Sequence, residues 1–114
     1  MRMNEDEVAQ YAAQLSVQLR KGFLAYCVLK VCSHGAKYTS DIIRELQSAD
    51  LVVVEGTIYP LLSRMQKDGM LSHEWQESEQ GPPRKYYKTT DTGEAVMQQM
   101  TKDIHALNTT VGKL

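Results

Sequence analysis

Long apolar runs are missing from this chain of 114 residues. The longest apolar-rich stretch, Phe23 to Cys32, is about ten residues and contains Lys30, far short of the ~20 needed to span a bilayer. A membrane partner is therefore not expected. The opening Met1-Arg2-Met3-Asn4-Glu5-Asp6-Glu7 is polar and acidic, unlike a secretory signal. Cysteine is also scarce. Cys27 and Cys32 lie in one helix-like stretch at a spacing that points them to different faces, and no CxxC exists. They read as two small buried apolar residues whose reduced thiols suit a cytoplasmic protein. Catalytic patterns are missing as well. His34, His73 and His105 fall on a turn, a strand and a helix, with no HxxxH, HxxE or mixed Cys/His ligand spacing. There is no GxSxG, P-loop or GxGxxG. No metal, no cofactor and no enzymatic activity are expected.

An excess of positive charge is missing too, since the formal net charge is −1. Its distribution matters more than its sum. Residues 19–88 hold ten Lys or Arg against eight Asp or Glu, and the two flanks hold three against six. The middle is mildly basic and the ends are acidic. Apolar residues make up 42% and charged residues 24%, ordinary globular values. One domain of this length can bury a core without disulfides or metals.

Periodicity divides the chain. From Asn4 to about Gln18, Val8, Ala12, Leu15 and Leu19 recur at helical spacing beside Tyr11. Arg20-Lys21-Gly22 then reads as a break before a second, core helix over Phe23–Ser33, stopped by His34-Gly35. Thr39 or Ser40 is expected to cap a third helix, with Ile42, Ile43 and Leu46 on its buried face. Leu51-Val52-Val53-Val54 is a short β-branched run. A fourth helix follows over about Glu55–Asp68, apolar at Ile58, Leu61, Leu62 and Met65 and closed by Gly69. Thr57 as its cap would place Pro60 in the first turn, where a missing N–H is harmless. After Gly69 the period shortens. Residues 71–77 and 84–89 read as a hairpin around a six-residue connector, Ser78 to Pro83. Trp75 is expected to pack on the core or within the hairpin. Thr90-Asp91-Thr92 caps a last helix to about Val111. Its Met97, Met100, Ile104, Leu107 and Val111 form a short heptad seam.

The order is mainly α with a small β-hairpin wing. It predicts a single winged helix-turn-helix domain over 1–114. Residues 1–19 supply an N-terminal helix, 20–90 the core, and 91–114 a C-terminal dimerisation helix. In such folds the last helix before the hairpin enters the major groove of DNA. Its face opposite the apolar stripe carries Thr57, Tyr59, Ser63, Arg64 and Lys67, all hydrogen-bond donors and two of them cationic. The wing adds Arg84 and Lys85 directly after Gly81-Pro82-Pro83, where fixed φ angles lower the cost of docking on phosphate. The stripe at Val8, Ala12 and Leu15 and the seam at Met97, Met100, Ile104, Leu107 and Val111 predict a homodimer.

These motifs also carry a family resemblance. Glu55-Gly56-Thr57-Ile58-Tyr59-Pro60-Leu61-Leu62-Ser63-Arg64-Met65, then Lys67-Asp68-Gly69-Met70-Leu71, then Gly81-Pro82-Pro83-Arg84-Lys85-Tyr86-Tyr87 with Thr89-Thr90-Asp91-Thr92-Gly93, resemble the PadR family of bacterial transcriptional regulators over residues 20–95. The resemblance implies a homodimeric winged helix that represses a nearby operon, with the DNA-reading roles on Thr57, Tyr59, Ser63, Arg64, Arg84 and Lys85. The single terminal helix resembles the small subgroup, some of which bind flat aromatic compounds at the dimer interface. This terminal helix has no aromatic residue, but a small-molecule effector remains an expected class of partner. The operator should be an inverted repeat of double-stranded DNA. The alternative is a winged-helix module that binds proteins and not DNA. That alternative gives no role to the combined cations of the reading helix and wing.

Overall fold

Asn4 starts the first helix with a reciprocal cap. The Glu7 N–H donates to Asn4 Oδ1 at 2.8 Å, and the Asn4 N–H donates to Glu7 Oε1 at 3.5 Å. Glu5, Asp6 and Glu7 add negative charge at the positive end of the dipole. From there one helix, α1, runs unbroken through Glu5–Ser33. The expected break at Gly22 is absent. A glycine inside a helix costs only about 1 kcal/mol relative to alanine, and no capping geometry at 20–22 offsets the loss of a turn of hydrogen bonds.

The computed structural model describes residues 2–114. After α1 come β1 (Lys37–Tyr38), α2 (Thr39–Ser48), α3 (Glu55–Lys67), β2 (Leu71–Ser78), β3 (Gly81–Thr89) and α4 (Asp91–Lys113). The strands form one antiparallel sheet in the order β1-β3-β2. The fold is therefore four helices with a three-stranded sheet whose outer hairpin is the wing.

The core lies around the second half of α1. Val28, Leu29 and Cys32 are fully or almost fully buried against Ile42, Ile43 and Leu46 of α2, Ile58, Leu62 and Met65 of α3, and Leu71 and Tyr87 of the sheet. Each such aliphatic side chain stabilises the fold by about 1.5–3 kcal/mol. The first half of α1 touches almost none of this. Val8, Tyr11, Leu15 and Leu19 stay exposed, Leu15 at 72%.

Several local expectations are corrected. Neither Thr39 nor Ser40 caps α2: Tyr38 occupies the cap position without a side-chain bond, and Thr39 is buried at the first helical position. The α3 helix begins at Glu55, as its expected span has it, but Val54 and not Thr57 holds the cap position, so Pro60 sits inside the helix and leaves the Gly56 carbonyl without its i+4 donor. The β-branched run Leu51–Val54 is a connector between α2 and α3. Val53 is buried and Leu51 is half-buried against the core, while Val52 and Val54 are exposed. The hairpin connector is two residues, Glu79-Gln80, because pairing resumes at Ser78 opposite Gly81. Pro82 and Pro83 fall inside β3, at the register shift that follows the Gln76–Arg84 pair. They are tolerated because β1 pairs with β3 only at Tyr86 and Tyr87, leaving the proline segment without a partner on that side. Trp75 is not a core residue. It is 64% exposed and packs within the hairpin, edge-on to His73 with ring centroids 6.4 Å apart.

The hairpin hands the chain to α4 through a tight joint. The Thr89 hydroxyl donates to the Leu29 carbonyl at 2.8 Å, and the Thr90 hydroxyl donates to the Gly69 carbonyl at 2.6 Å. Thr90 also caps α4, accepting from the Gly93 N–H at 3.0 Å. Gly69 reverses the chain at φ +80. Gly93 is buried because a Cβ there would collide with the Met70 carbonyl oxygen and lie 2.9 Å from Thr89 Cγ2. Farther along α4, the Tyr26 and Thr101 hydroxyls share a hydrogen bond of 2.8 Å.

Two glycine substitutions should therefore act oppositely. Gly93→Ala is expected to destabilise by about 1–3 kcal/mol through overpacking against backbone. Gly22→Ala, with open space at its Cβ position, is expected to stabilise by about 0.5–1 kcal/mol. Chemical denaturation at one fixed protein concentration checks both signs.

Candidate nucleic-acid interface

Rotation of α3 is set by the burial of Ile58 and Leu62, both at 0% exposure. At about 100° per residue, Ser63 and Lys67 stand about 140° and 180° from Ile58, on the solvent side. Tyr59 stands on one flank of that face and is 51% exposed. Thr57 and Arg64 are exposed on the other flank. They line a groove of about 710 Å³ shared with Lys21 of α1 and Met100 of α4. The five residues of this helix expected to face DNA are thus all accessible, but not as one flat face. Tyr59, Ser63 and Lys67 project outward, whereas Thr57 and Arg64 lean toward the middle of α1 around Lys21. Arg64 and Lys67 lie in the last turns, where positive charge also complements the helix dipole.

Strand alternation sorts the wing. Leu71, His73 and Trp75 face the same side as their partners Thr89, Tyr87 and Lys85, the side that covers the core. Ser72, Glu74 and Gln76 share the outer side with Lys88, Tyr86 and Arg84. Arg84 and Lys85 therefore point to opposite faces of the hairpin. Each cation lies over a tyrosine ring: Arg84 Cζ is 4.9 Å from the Tyr38 centroid, and Lys85 Nζ is 5.1 Å from the Tyr87 centroid. Ion pairs among the described residues join Lys37 to Glu45 and Arg44 to Asp41, so no carboxylate occupies either wing cation. Tyr38 lies outside the sequence-derived site. Its two-residue strand is too short to leave a periodic signal.

The residues expected at a dimer seam divide as well. Met97 packs on the core, while Met100 and Ile104 are half-buried. Leu107 and Val111 are exposed, as are Val8, Ala12 and Leu15. Between them runs an apolar groove of about 500 Å³, lined by Leu19, Phe23, Met100, Ile104 and Leu107.

Among the described residues, no group of three or more His, Cys, Asp or Glu could hold a metal ion. Among the same residues, no helix is long and apolar enough to cross a membrane. Burial pushes the Cys32 thiol up to about 12, with Glu45 adding to the rise and Lys37 opposing it. Burial likewise raises half-buried Cys27 against the pull of Lys30.

The comparisons with known proteins agree with this fold. The transcriptional regulator PadR-like family matches over residues 28–99, and the chain belongs to that family. It is similar to a PadR-like transcription factor from Bacteroides fragilis, at 48% identity over 88% of this chain and 97% of that one, with a TM-score of 0.76. A PadR family regulator from Eggerthella lenta matches at 30% identity over 94% of each chain, with a TM-score of 0.81. A PadR-like regulator from Bacillus cereus matches at 34% identity over 84% of this chain and 94% of that one, with a TM-score of 0.73. No curated protein matches. The protein is thus a DNA-binding transcription regulator with a winged-helix fold.

The raised thiol of Cys32 has a testable sign. The folded state keeps its proton above the ordinary value of 9.0, so the associated stability is full below that pH and is lost as pH climbs toward about 12. Wild-type protein should lose denaturation midpoint faster above pH 9.0 than Cys32→Ala does. Equal slopes would remove Cys32 as the cause.

Proposed function

We propose that the chain is a cytoplasmic homodimeric repressor that binds an inverted-repeat operator. The observation that carries the reading is the outward set Tyr59, Ser63 and Lys67 on α3, beside a wing with cations on both faces. Tyr59, Ser63 and Lys67 reach base edges in the major groove, and Thr57 and Arg64 hold the backbone on the side of α1. Arg84 and Lys85, pointing opposite ways, let the hairpin tip lie along a groove with phosphates on either side.

The dimer reading rests on exposure. The first half of α1 is a helix of several turns whose apolar stripe has nothing to cover it within one chain. An isolated helix of that length is marginal in water, and an exposed stripe of this kind marks an interface. Its occupant is a second copy, seated in the groove between α1 and α4. A two-fold axis would present two α3 helices, placing half-sites about 10 base pairs apart centre to centre or at a multiple of that spacing. A small-molecule effector, if the cell uses one, acts on this dimer; catalysis has no part in the proposal.

Capture of genomic fragments by the purified protein, followed by sequencing, tests the reading and yields the operator. An inverted repeat upstream of an operon is expected, and recovery of random fragments would overturn it. Tyr59→Ala and Lys67→Ala should leave the circular dichroism spectrum intact. Each should weaken operator binding by about 1–3 kcal/mol if it removes a base contact. Arg84→Ala with Lys85→Ala removes four cations per dimer. The plot of log affinity against log salt should become shallower by up to about 3–4 units. An unchanged slope would exclude the wing from binding.

For the dimer, Leu15→Asp with Leu107→Asp alters side chains exposed in the single chain. Light scattering should find monomer or unfolded protein. A folded dimer of unchanged size would refute the interface.

A further inference from the structure

We propose that Tyr38 is a positioning residue for DNA binding: its ring holds the Arg84 guanidinium in the orientation that meets a phosphate. The inference rests on the DNA-binding reading above and adds a residue that neither the helix nor the hairpin supplies. Tyr38 belongs to β1, the short strand whose pairing with β3 places Tyr38 opposite Tyr86 and Lys37 opposite Tyr87. That register puts Tyr38 on the outer face of the sheet with Tyr86 and Arg84. The Tyr38 and Tyr86 rings lie 5.8 Å apart, and Arg84 Cζ is 4.9 Å from the Tyr38 centroid. The ring is half-buried while Arg84 is exposed, so the fixed partner is the tyrosine and the guided one is the arginine.

Chemistry favours this division. A guanidinium over an aromatic face spends no N–H donor on the contact, since its five donors lie in its own plane. A carboxylate partner would occupy two of them and cancel the charge. Arg84 has no such partner among the described residues. Its donors remain free for a phosphate, while side-chain freedom that would be lost on docking is already restricted. Pro82 and Pro83 stiffen the chain just before it. The cation is thus held from two directions, by its own backbone and by a ring from a different part of the chain.

A double-mutant cycle tests the idea by fluorescence anisotropy on a labelled mixed-sequence DNA duplex of about three helical turns. The variants are Tyr38→Leu, Tyr38→Phe, Arg84→Ala and Tyr38→Leu/Arg84→Ala. Tyr38→Leu should weaken binding by about fivefold or more for a dimer with two wings. Tyr38→Phe, which keeps the ring and loses only the hydroxyl, should bind within about twofold of wild type. In the Arg84→Ala background, Tyr38→Leu should cost nothing further. Circular dichroism of each variant reports the fold separately. A ring that merely packs β1 would instead cost the same with and without Arg84, and that result would overturn the proposal. So would a Tyr38→Leu variant that binds as wild type does, or a Tyr38→Phe variant as weak as Tyr38→Leu. Absence of any salt-dependent binding by wild-type protein would reject the DNA-binding reading itself, and this inference with it.

Discussion

The burial of α1 at Val28, Leu29 and Cys32 is the constraint from which the remaining geometry follows. These three positions sit where α2, α3 and the sheet converge. Because α3 meets them through Ile58 and Leu62, its rotation is not free. Turning the helix would expose two fully buried aliphatic side chains, at about 1.5–3 kcal/mol each. The outward direction of Tyr59, Ser63 and Lys67 is thus a consequence of packing on the other side of the same helix. The Thr89 hydroxyl ties the root of the wing to the Leu29 carbonyl, so the hairpin is referenced to the same helix.

One element serves two purposes. The second half of α1 is core, and the first half is an apolar surface without a cover in the single chain. An unbroken helix through Gly22 makes them one rigid body. Whatever covers Val8, Leu15 and Leu19 is therefore mechanically continuous with the residues that orient α3. The Tyr26–Thr101 hydrogen bond and the buried Gly93 tie α4 to that body. A change in the packing of α1 against α4 therefore has a direct route to the residues that orient α3.

The wing shows how far strand alternation governs chemistry. Two adjacent cations cannot face one way on a strand, so Arg84 and Lys85 divide between its faces. Each then lies over a different tyrosine, Tyr38 on the outer face and Tyr87 on the inner. Proline at the register shift limits how the tip can respond, and the two-residue turn shortens it. The result is a hairpin whose cations are separated in direction but not in distance along the chain.

Much of this was legible in the residues alone. The 3.6-residue period of α3 and the cap at Thr90 are local, and local signals survive in sequence. So are the shortened period after Gly69 and the motif around Gly81-Pro82-Pro83. These were enough to specify a winged helix. Only the tertiary structure decided the rest. Continuity of α1 through Gly22 depends on a turn of helix hydrogen bonds outweighing a single-residue propensity. Exposure of Trp75 reflects a hairpin that extends beyond the core, which periodicity cannot measure. The division of the α3 polar face depends on where α1 and α4 lie. The place of Tyr38 depends on a two-residue strand pairing with residues almost 50 positions away. A sequence encodes such pairings only through the energy of the assembled fold, so no local pattern announces them.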